Sequence, residues 1–323
     1  MSPIPRPGPA RITLVLLAVI PAVLAYPWRS TRDYWLIGIA VVVVVALFGW
    51  WRGLHFTTIL RRRLALLLRR RPTLPESESG TRITALLRIG PPSGGADVLP
   101  LPLLAQYLDR YGIRADAVRI TNRDNASGER VTWVGLTVSA VDNLSALQAR
   151  SSRIPLRETA QVAARRLADH LREIGWEATT LDPDDVPQLV VSDVRETWCG
   201  VQDGSDYLAA YRVTVDGAVS GVLAAIGSRP ARETWSALEI GGGPEAGYTV
   251  AIACAFRTDT APQSAAPLAG LTPQHGRHWS ALMVLDPLSA QRLDGHTRAP
   301  DGLLTGLGWP TPGAGAHRAP LAH

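Results

Sequence analysis

Two long uncharged runs open the chain, and after them apolar positions recur with periods of either two or about 3.6 residues. Ile12 to Tyr26 carries no charge over 15 residues, and Tyr34 to Trp51 carries none over 18. A bilayer core needs about 20 residues of helix, so the second run is a span by itself and the first becomes one when Pro27 and Trp28 extend it. The pattern therefore predicts a two-helix transmembrane hairpin over residues 1–53, with spans at about 12–28 and 34–51. Trp28, Trp35, Trp50 and Trp51 fall at its expected water boundaries, where an amphipathic ring is best accommodated. The rival reading is a cleaved signal peptide, with Arg6 and Arg11 as its basic start and Val23 and Ala25 as the small residues before a cut. Cleavage would leave a stub of only about eight residues before the next run, which favours the hairpin.

Leu54 to Arg71 (LHFTTILRRRLALLLRRR) predicts a helix continuing from the second span, with Leu60, Leu64, Leu67 and Leu68 on one stripe and arginine triplets around it. Such a helix suits an anionic lipid surface, a stop-transfer flank, or the acidic groove of a partner. Residues 72–81 (PTLPESESGT) break the helix and reverse the sign of the charge, which marks a linker. Beyond it, residues 82–298 read as a mixed α/β domain. Strands are expected over 82–89, 113–121, 129–141, 176–181, 206–215 and 246–256. Helices are expected over 100–112, ending at Gly112, and from Leu156 to Gly175, with a short one in GAVSGVLAAIGSRP. The strand 176–181 after the long helix suggests one parallel crossover. The tail 299–323, rich in proline and glycine and without a period, is expected to be disordered.

Charge sharpens this division. Residues 1–71 hold 11 arginines against Asp33 alone, while the rest of the chain has 22 arginines against 27 acids. The net charge of +5 thus describes a basic head, not a nucleic-acid-binding domain. Arg52, Arg61, Arg62, Arg63, Arg69, Arg70 and Arg71 follow the second run, against Arg29 and Arg32 in the connecting turn. That bias places the N-terminus and the large domain in the cytoplasm. Cys199 and Cys254 are too few for a disulfide framework and read as reduced thiols.

The chain contains no lysine, which excludes a Walker-type phosphate loop and Schiff-base or PLP catalysis. Asp182-Pro183-Asp184-Asp185 after a strand offers carboxylates at the spacing of a Mg²⁺ or Mn²⁺ site, Asp182 and Asp184 being the candidate ligands. The same residues suit an ordinary helix start, where acids are favoured. His275 and His278 form an HxxH without the helix and glutamate of a zincin, so exposed histidines are expected. Gly241-Gly242-Gly243-Pro244 lacks the spacing of a nucleotide loop, and there is no GxSxG elbow. One string occurs twice: Arg195-Glu196-Thr197-Trp198 and Arg232-Glu233-Thr234-Trp235, each followed by an apolar strand containing tyrosine. The repeat suggests a duplicated strand pair. Its Arg, Glu and Trp side chains fit either structural ion pairs stacked on indole or a docking face. No cofactor and no catalytic residue is predicted.

Taken together, WWRGLHFTTILRRRLA, PLPLLAQYLDRYGIRADAVRIT, TWVGLTVSAVDNLSALQARS, IPLRETAQVAARRLADHLREIGWEAT and the two RETW strings resemble the EccE component of actinobacterial type VII (ESX) secretion systems. The compact length and short tail look most like the branch linked to siderophore-mediated iron acquisition. The resemblance implies a non-ATPase subunit of an inner-membrane secretion complex, assembled with EccB-, EccC- and EccD-like subunits, EccC being the motor. It also implies a soluble domain distantly glycosyltransferase-like in fold, which would make the DPDD site a relic. Two other functions stay open on the residues alone: a membrane-anchored glycosyltransferase-like enzyme using Asp182 and Asp184, and a membrane-tethered adaptor or sensor.

Overall fold

The computed structural model describes parts of 16–44, then 50–51, 54–68, 81–93, 98–150, 155–190 and 194–311. The chain divides into two compact units, Met1–Arg70 and Arg71–His323.

In the first unit the transmembrane hairpin is corrected. Among the described residues no helix is long and apolar enough to cross a membrane. Trp50 and Trp51, expected at the end of a span, form a strand (β1, Trp50–Trp51) paired antiparallel with β2 (Leu54–His55). A helix continuous from the second run into the arginine triplets is therefore absent: α1 starts afresh at Phe56 and runs to Leu68. Bulky aromatic residues favour extended pairing, and that preference prevails here over the apolar run. The other residues of the two expected spans, and Arg69 to Arg71, lie largely outside the described residues.

The second unit is α/β and built on one large sheet. Its strands are β3 (Arg82–Pro92), β4 (Asp109–Arg110), β5 (Ile113–Asn125), β6 (Arg130–Ser139), β7 (Trp176–Leu181), β8 (Val194–Glu196), β9 (Val201–Asp203), β10 (Asp206–Val213), β11 (Glu233–Gly243), β12 (Gly247–Thr258), β13 (Leu271–Pro273) and β14 (Thr297–Arg298). The main order is β7-β3-β6-β5-β11-β12-β10-β9-β8, and every pairing among the described strands is antiparallel. The expected parallel crossover is thus corrected, because β7 returns antiparallel to β3. The glycosyltransferase-like layout is not supported either. A nucleotide crevice of that kind forms at the carboxyl ends of parallel strands, and antiparallel pairing removes it.

Strand alternation gives the sheet two buried faces. On one face Leu87, Ile89, Val134 and Leu136 pack under α4 (Leu156–Glu173), and Leu238 and Ile240 of β11 continue the same core. The apolar stripe of α4 (Leu156, Ala160, Ala164, Leu167, Leu171) matches the helical period, and Gly175 follows it with φ 91°. Also described are α2 (Leu101–Gln106), α3 (Leu144–Arg150) and α5 (Val219–Ser228). On the other face Trp133, Trp235, Ala237 and Ala251 lie under α6 (His278–Leu285) and the loops that flank it.

Two further expectations change. The helix predicted over 100–112 stops at Gln106, and Tyr111-Gly112 instead joins β4 to β5 in a two-residue hairpin, both with positive φ. The tail is ordered as far as it is described: α7 (Leu303–Gly306) leads to Leu307 and Trp309, which are buried in the first core, and Asn122 Nδ2 donates to the Pro310 carbonyl at 2.8 Å. Burial of one indole and one leucine, together with this hydrogen bond, orders a segment whose composition reads as loop. Residues 312–323 lie outside the described residues.

Candidate functional site

The two RETW strings are placed differently. The second opens β11, at the middle of the sheet. Trp235 is buried and stacks on Trp133 with ring centroids 5.7 Å apart and planes at 10°, while the Arg123 guanidinium lies 5.6 Å from the Trp235 ring. Glu233 accepts from Arg123 Nε at 3.2 Å and from Arg257 Nε at 3.1 Å. Burial pushes the Glu233 carboxyl up, but the bonds and charges of Arg123 and Arg257 outweigh this and leave it below its ordinary value. Arg257 also donates to Asp203 at 2.9 Å and to the Leu189 carbonyl at 2.8 Å. Arg232 is exposed and pairs with Asp206 at 2.9 Å.

The first string ends β8, at the far edge of the sheet. Arg195 is exposed. Glu196 accepts from the backbone N–H of Trp279 at 3.1 Å, so its carboxylate meets a backbone donor in the first turn of α6, where negative charge is favoured. Trp198 stacks on His275 at 5.4 Å with planes at 8°, and its carbonyl accepts from Gly276 N–H at 3.1 Å. The strings are not side by side: β12, β10 and β9 lie between β11 and β8. Their tyrosine strands, β10 and β12, are neighbours, with Tyr211 opposite Cys254.

The histidines expected to be exposed are buried. His275 lies under Trp198, and His278 Nδ1 accepts from Ala210 N–H at 3.1 Å. Asp182, Asp184 and Asp185 are exposed on a short 3₁₀ turn (Pro183–Asp185) after β7, and Asp182 makes no capping bond there. Asp182 lines a cavity of about 110 Å³ with Arg157, Gln161, Arg165 and Thr180. Among the described residues no three His, Cys, Asp or Glu side chains form a group that could hold a metal ion. On α1, Arg61, Arg63, Leu60 and Leu64 are exposed and Arg62 is half-buried. Arg52, Arg69, Arg70 and Arg71 lie outside the described residues.

One buried polar centre was not anticipated. Glu239, fully buried on β11, accepts from Arg119 Nε at 2.9 Å and lies 2.9 Å from His296 Nε2. Burial would raise its carboxyl, but the hydrogen bond of His296 and the charge and bonds of Arg119 hold it down to about 2. Arg119 also donates to the carbonyls of Val284 (2.6 Å) and Ser289 (3.2 Å), so the pair fastens the segment after α6 onto the sheet. The sequence signal was there: a glutamate at an inward position of SALEIGG, and an arginine in AVRIT.

The central part of this fold, residues 126–213, matches the family model described as "Putative type VII ESX secretion system translocon, EccE". The chain is 64% identical over 327 residues to ESX-3 secretion system protein EccE3 of Mycobacterium tuberculosis (strain CDC 1551 / Oshkosh), covering 100% of this chain and 98% of that protein. This chain belongs to the EccE family. It is also 50% identical over 286 residues to ESX-3 secretion system protein EccE3 of Mycolicibacterium smegmatis (strain ATCC 700084 / mc(2)155), covering 88% of this chain and 90% of that one. EccE membership makes it a component of a type VII ESX secretion system, part of a membrane-associated complex that works in protein secretion.

Proposed function

We propose that this EccE-family chain is a non-catalytic structural subunit of an ESX-3-type complex at the inner membrane, assembled with EccB-, EccC- and EccD-like subunits. The observation that carries this reading is the 64% identity to an EccE3 protein across the whole chain. The absence of lysine supports it, since an ATPase phosphate loop needs that ammonium and the motor must lie in another subunit. In this reading α1 meets the complex or an anionic lipid surface through Arg61, Arg62 and Arg63, with Arg52, Arg69, Arg70 and Arg71 adding charge along the same stretch of sequence. The α/β unit faces the cytoplasm, where the anionic leaflet lies beside this basic segment. The RETW residues Arg195, Glu196, Trp198, Arg232, Glu233 and Trp235 act mainly within the fold, and Asp182 and Asp184 belong to a surface turn without catalytic duty.

The test compares two variants in cells for substrate export and for complex size on native gels. Asp182→Asn with Asp184→Asn is expected to leave both unchanged, since both acids are exposed and neither caps a helix. Reversal of Arg61, Arg62 and Arg63 to Glu is expected to disturb assembly, because each arginine contributes about 1 kcal/mol at an anionic surface before repulsion is added. Loss of export in the double Asn variant at normal complex size would reverse the assignment and favour an enzyme.

A further inference from the structure

The β4–β5 hairpin carries a residue that its backbone disfavours. Asp109 pairs with Arg114 and Arg110 with Ile113, so Tyr111-Gly112 is a two-residue loop, with φ of 57° and 71°. Positive φ at both loop positions is the signature of the turn for which Asn-Gly is the favoured sequence. A bulky aromatic residue there is an outlier, and among the described residues Tyr111 is the only non-glycine with positive φ. Strain of this sort persists where the surroundings or a function require the side chain.

The Tyr111 ring is held at the surface between two cations from different elements. Arg110 of β4 lies 5.2 Å from its centroid and Arg166 of α4 lies 4.7 Å from it, while Arg110 also covers Tyr107 at 4.9 Å. The side chain is nevertheless 54% exposed, and Val162, next to it along α4, is 40% exposed. Of the nearby acids, Asp109 pairs with Arg114 at 3.6 Å and Asp169 with Arg172 at 2.6 Å, while Glu173 lies close enough to act on Tyr107 through its charge. Among the described residues neither Arg110 nor Arg166 has a carboxylate within ion-pair distance.

We propose that Tyr111, Arg110 and Arg166 form a docking site for an acidic segment of another subunit of the secretion complex, in which carboxylates flank an apolar side chain. Arg110 Nη1 makes long contacts of 3.4 Å with Gln106 Oε1 and His170 Nδ1. The charge match decides the occupant: two guanidiniums that have no ion pair among the described residues fit two carboxylates, while the ring with Val162 fits the apolar group between them. Tyrosine and arginine are also the residues that carry protein interfaces. An anionic membrane is the poorer match, since lipid-reading clusters use about four to eight basic residues and this site offers two. The inference rests on the structural-subunit reading above.

The experiment uses the full chain in its complex, purified from membranes through a tag on this chain. Tyr111→Asn removes the ring while giving the turn its preferred residue. It is expected to leave the thermal midpoint of the full chain unchanged or higher, yet to lower the co-purifying subunits at least tenfold. Arg166→Glu is expected to do the same, and a photocrosslinking residue at Val162 is expected to capture a segment of another subunit rich in Asp and Glu. Full retention of the complex by both variants would overturn the site, as would loss accompanied by a lowered midpoint in both. Capture of a segment without acids would also overturn it. So would loss of binding to phosphatidylglycerol vesicles by variants that keep the complex, which would mark a lipid contact. If the wild-type chain brings down no other subunit, the structural-subunit reading fails first. If wild type and both variants bring them down equally, only the docking site fails.

Discussion

The same four letters, RETW, do different work at the two places where they occur. At the centre of the sheet, Trp235 is buried and stacked on Trp133 with Arg123 near its ring, and Glu233 ties β11 to β5 and β12 through Arg123 and Arg257. At the edge, Trp198 stacks on His275 and Glu196 accepts from the backbone of α6. A short string thus has no energetic meaning by itself. Its neighbours in the sheet decide whether it forms part of the core or fastens a helix to the rim.

The largest test of that contrast is truncation of the two indoles. Trp235→Ala is expected to destabilise the full chain by about 3–5 kcal/mol, the range for an aromatic side chain removed from a core. Trp198→Ala should cost about 1–2 kcal/mol, because its ring is only half-buried at the edge of the sheet. Denaturant melts of both variants measure the difference, and equal losses would abolish the distinction. Acid comes next. Glu239 shares β11 with the second string, and its carboxyl falls from 4.5 to about 2 in the folded state. A depressed carboxylate contributes stability that is present above the unfolded value and is lost as pH falls through the folded one. The central sheet should therefore lose about 3 kcal/mol between pH 5 and 2, and Glu239→Gln should flatten that slope while lowering stability at neutral pH.

Smaller effects separate the paired acids. Glu233→Gln is expected to cost about 1–3 kcal/mol, since two arginines lose a charged acceptor. Glu196→Gln should cost less than about 1 kcal/mol, because an amide oxygen can still accept from Trp279 N–H while the favourable charge at the helix start is lost. A larger loss at Glu196 than at Glu233 would invert the comparison. At the bottom of the range, Arg195→Ala and Arg232→Ala should each change stability by less than about 1 kcal/mol, as both side chains are exposed.

Much of the α/β unit was legible in local pattern. The long helix α4 follows from its 3.6-residue apolar stripe and the glycine after it, and the tyrosine strands β10 and β12 follow from apolar runs rich in alanine and β-branched residues. Where the reading failed, a local signal was overruled. The apolar run ending in Trp50-Trp51 suggested one helix, yet those two residues pair with Leu54-His55. PLPLLAQYLDRYG suggested a helix up to its glycine, yet Tyr111-Gly112 turns a hairpin whose usual Asn-Gly signal is missing. His275 and His278 read as loop residues and are buried, because the Trp198 ring and the Ala210 backbone supply partners from distant positions.

The sequence by itself determined the family, the alternation that gives the sheet two apolar faces, the absence of any lysine-dependent chemistry, and the separation of a basic head from an acidic remainder. These depend on residue identity and on spacing along the chain. Strand order, the antiparallel sense of every described pair, the burial of Glu239 against Arg119, and the placing of Tyr111 between Arg110 and Arg166 were decided only by the tertiary structure. Arg119 and Glu239 are 120 residues apart, and Tyr111 and Arg166 are 55 apart. No local periodicity encodes such contacts, because they exist only after the chain has closed its long loops and burial has made an unpaired charge too costly to leave.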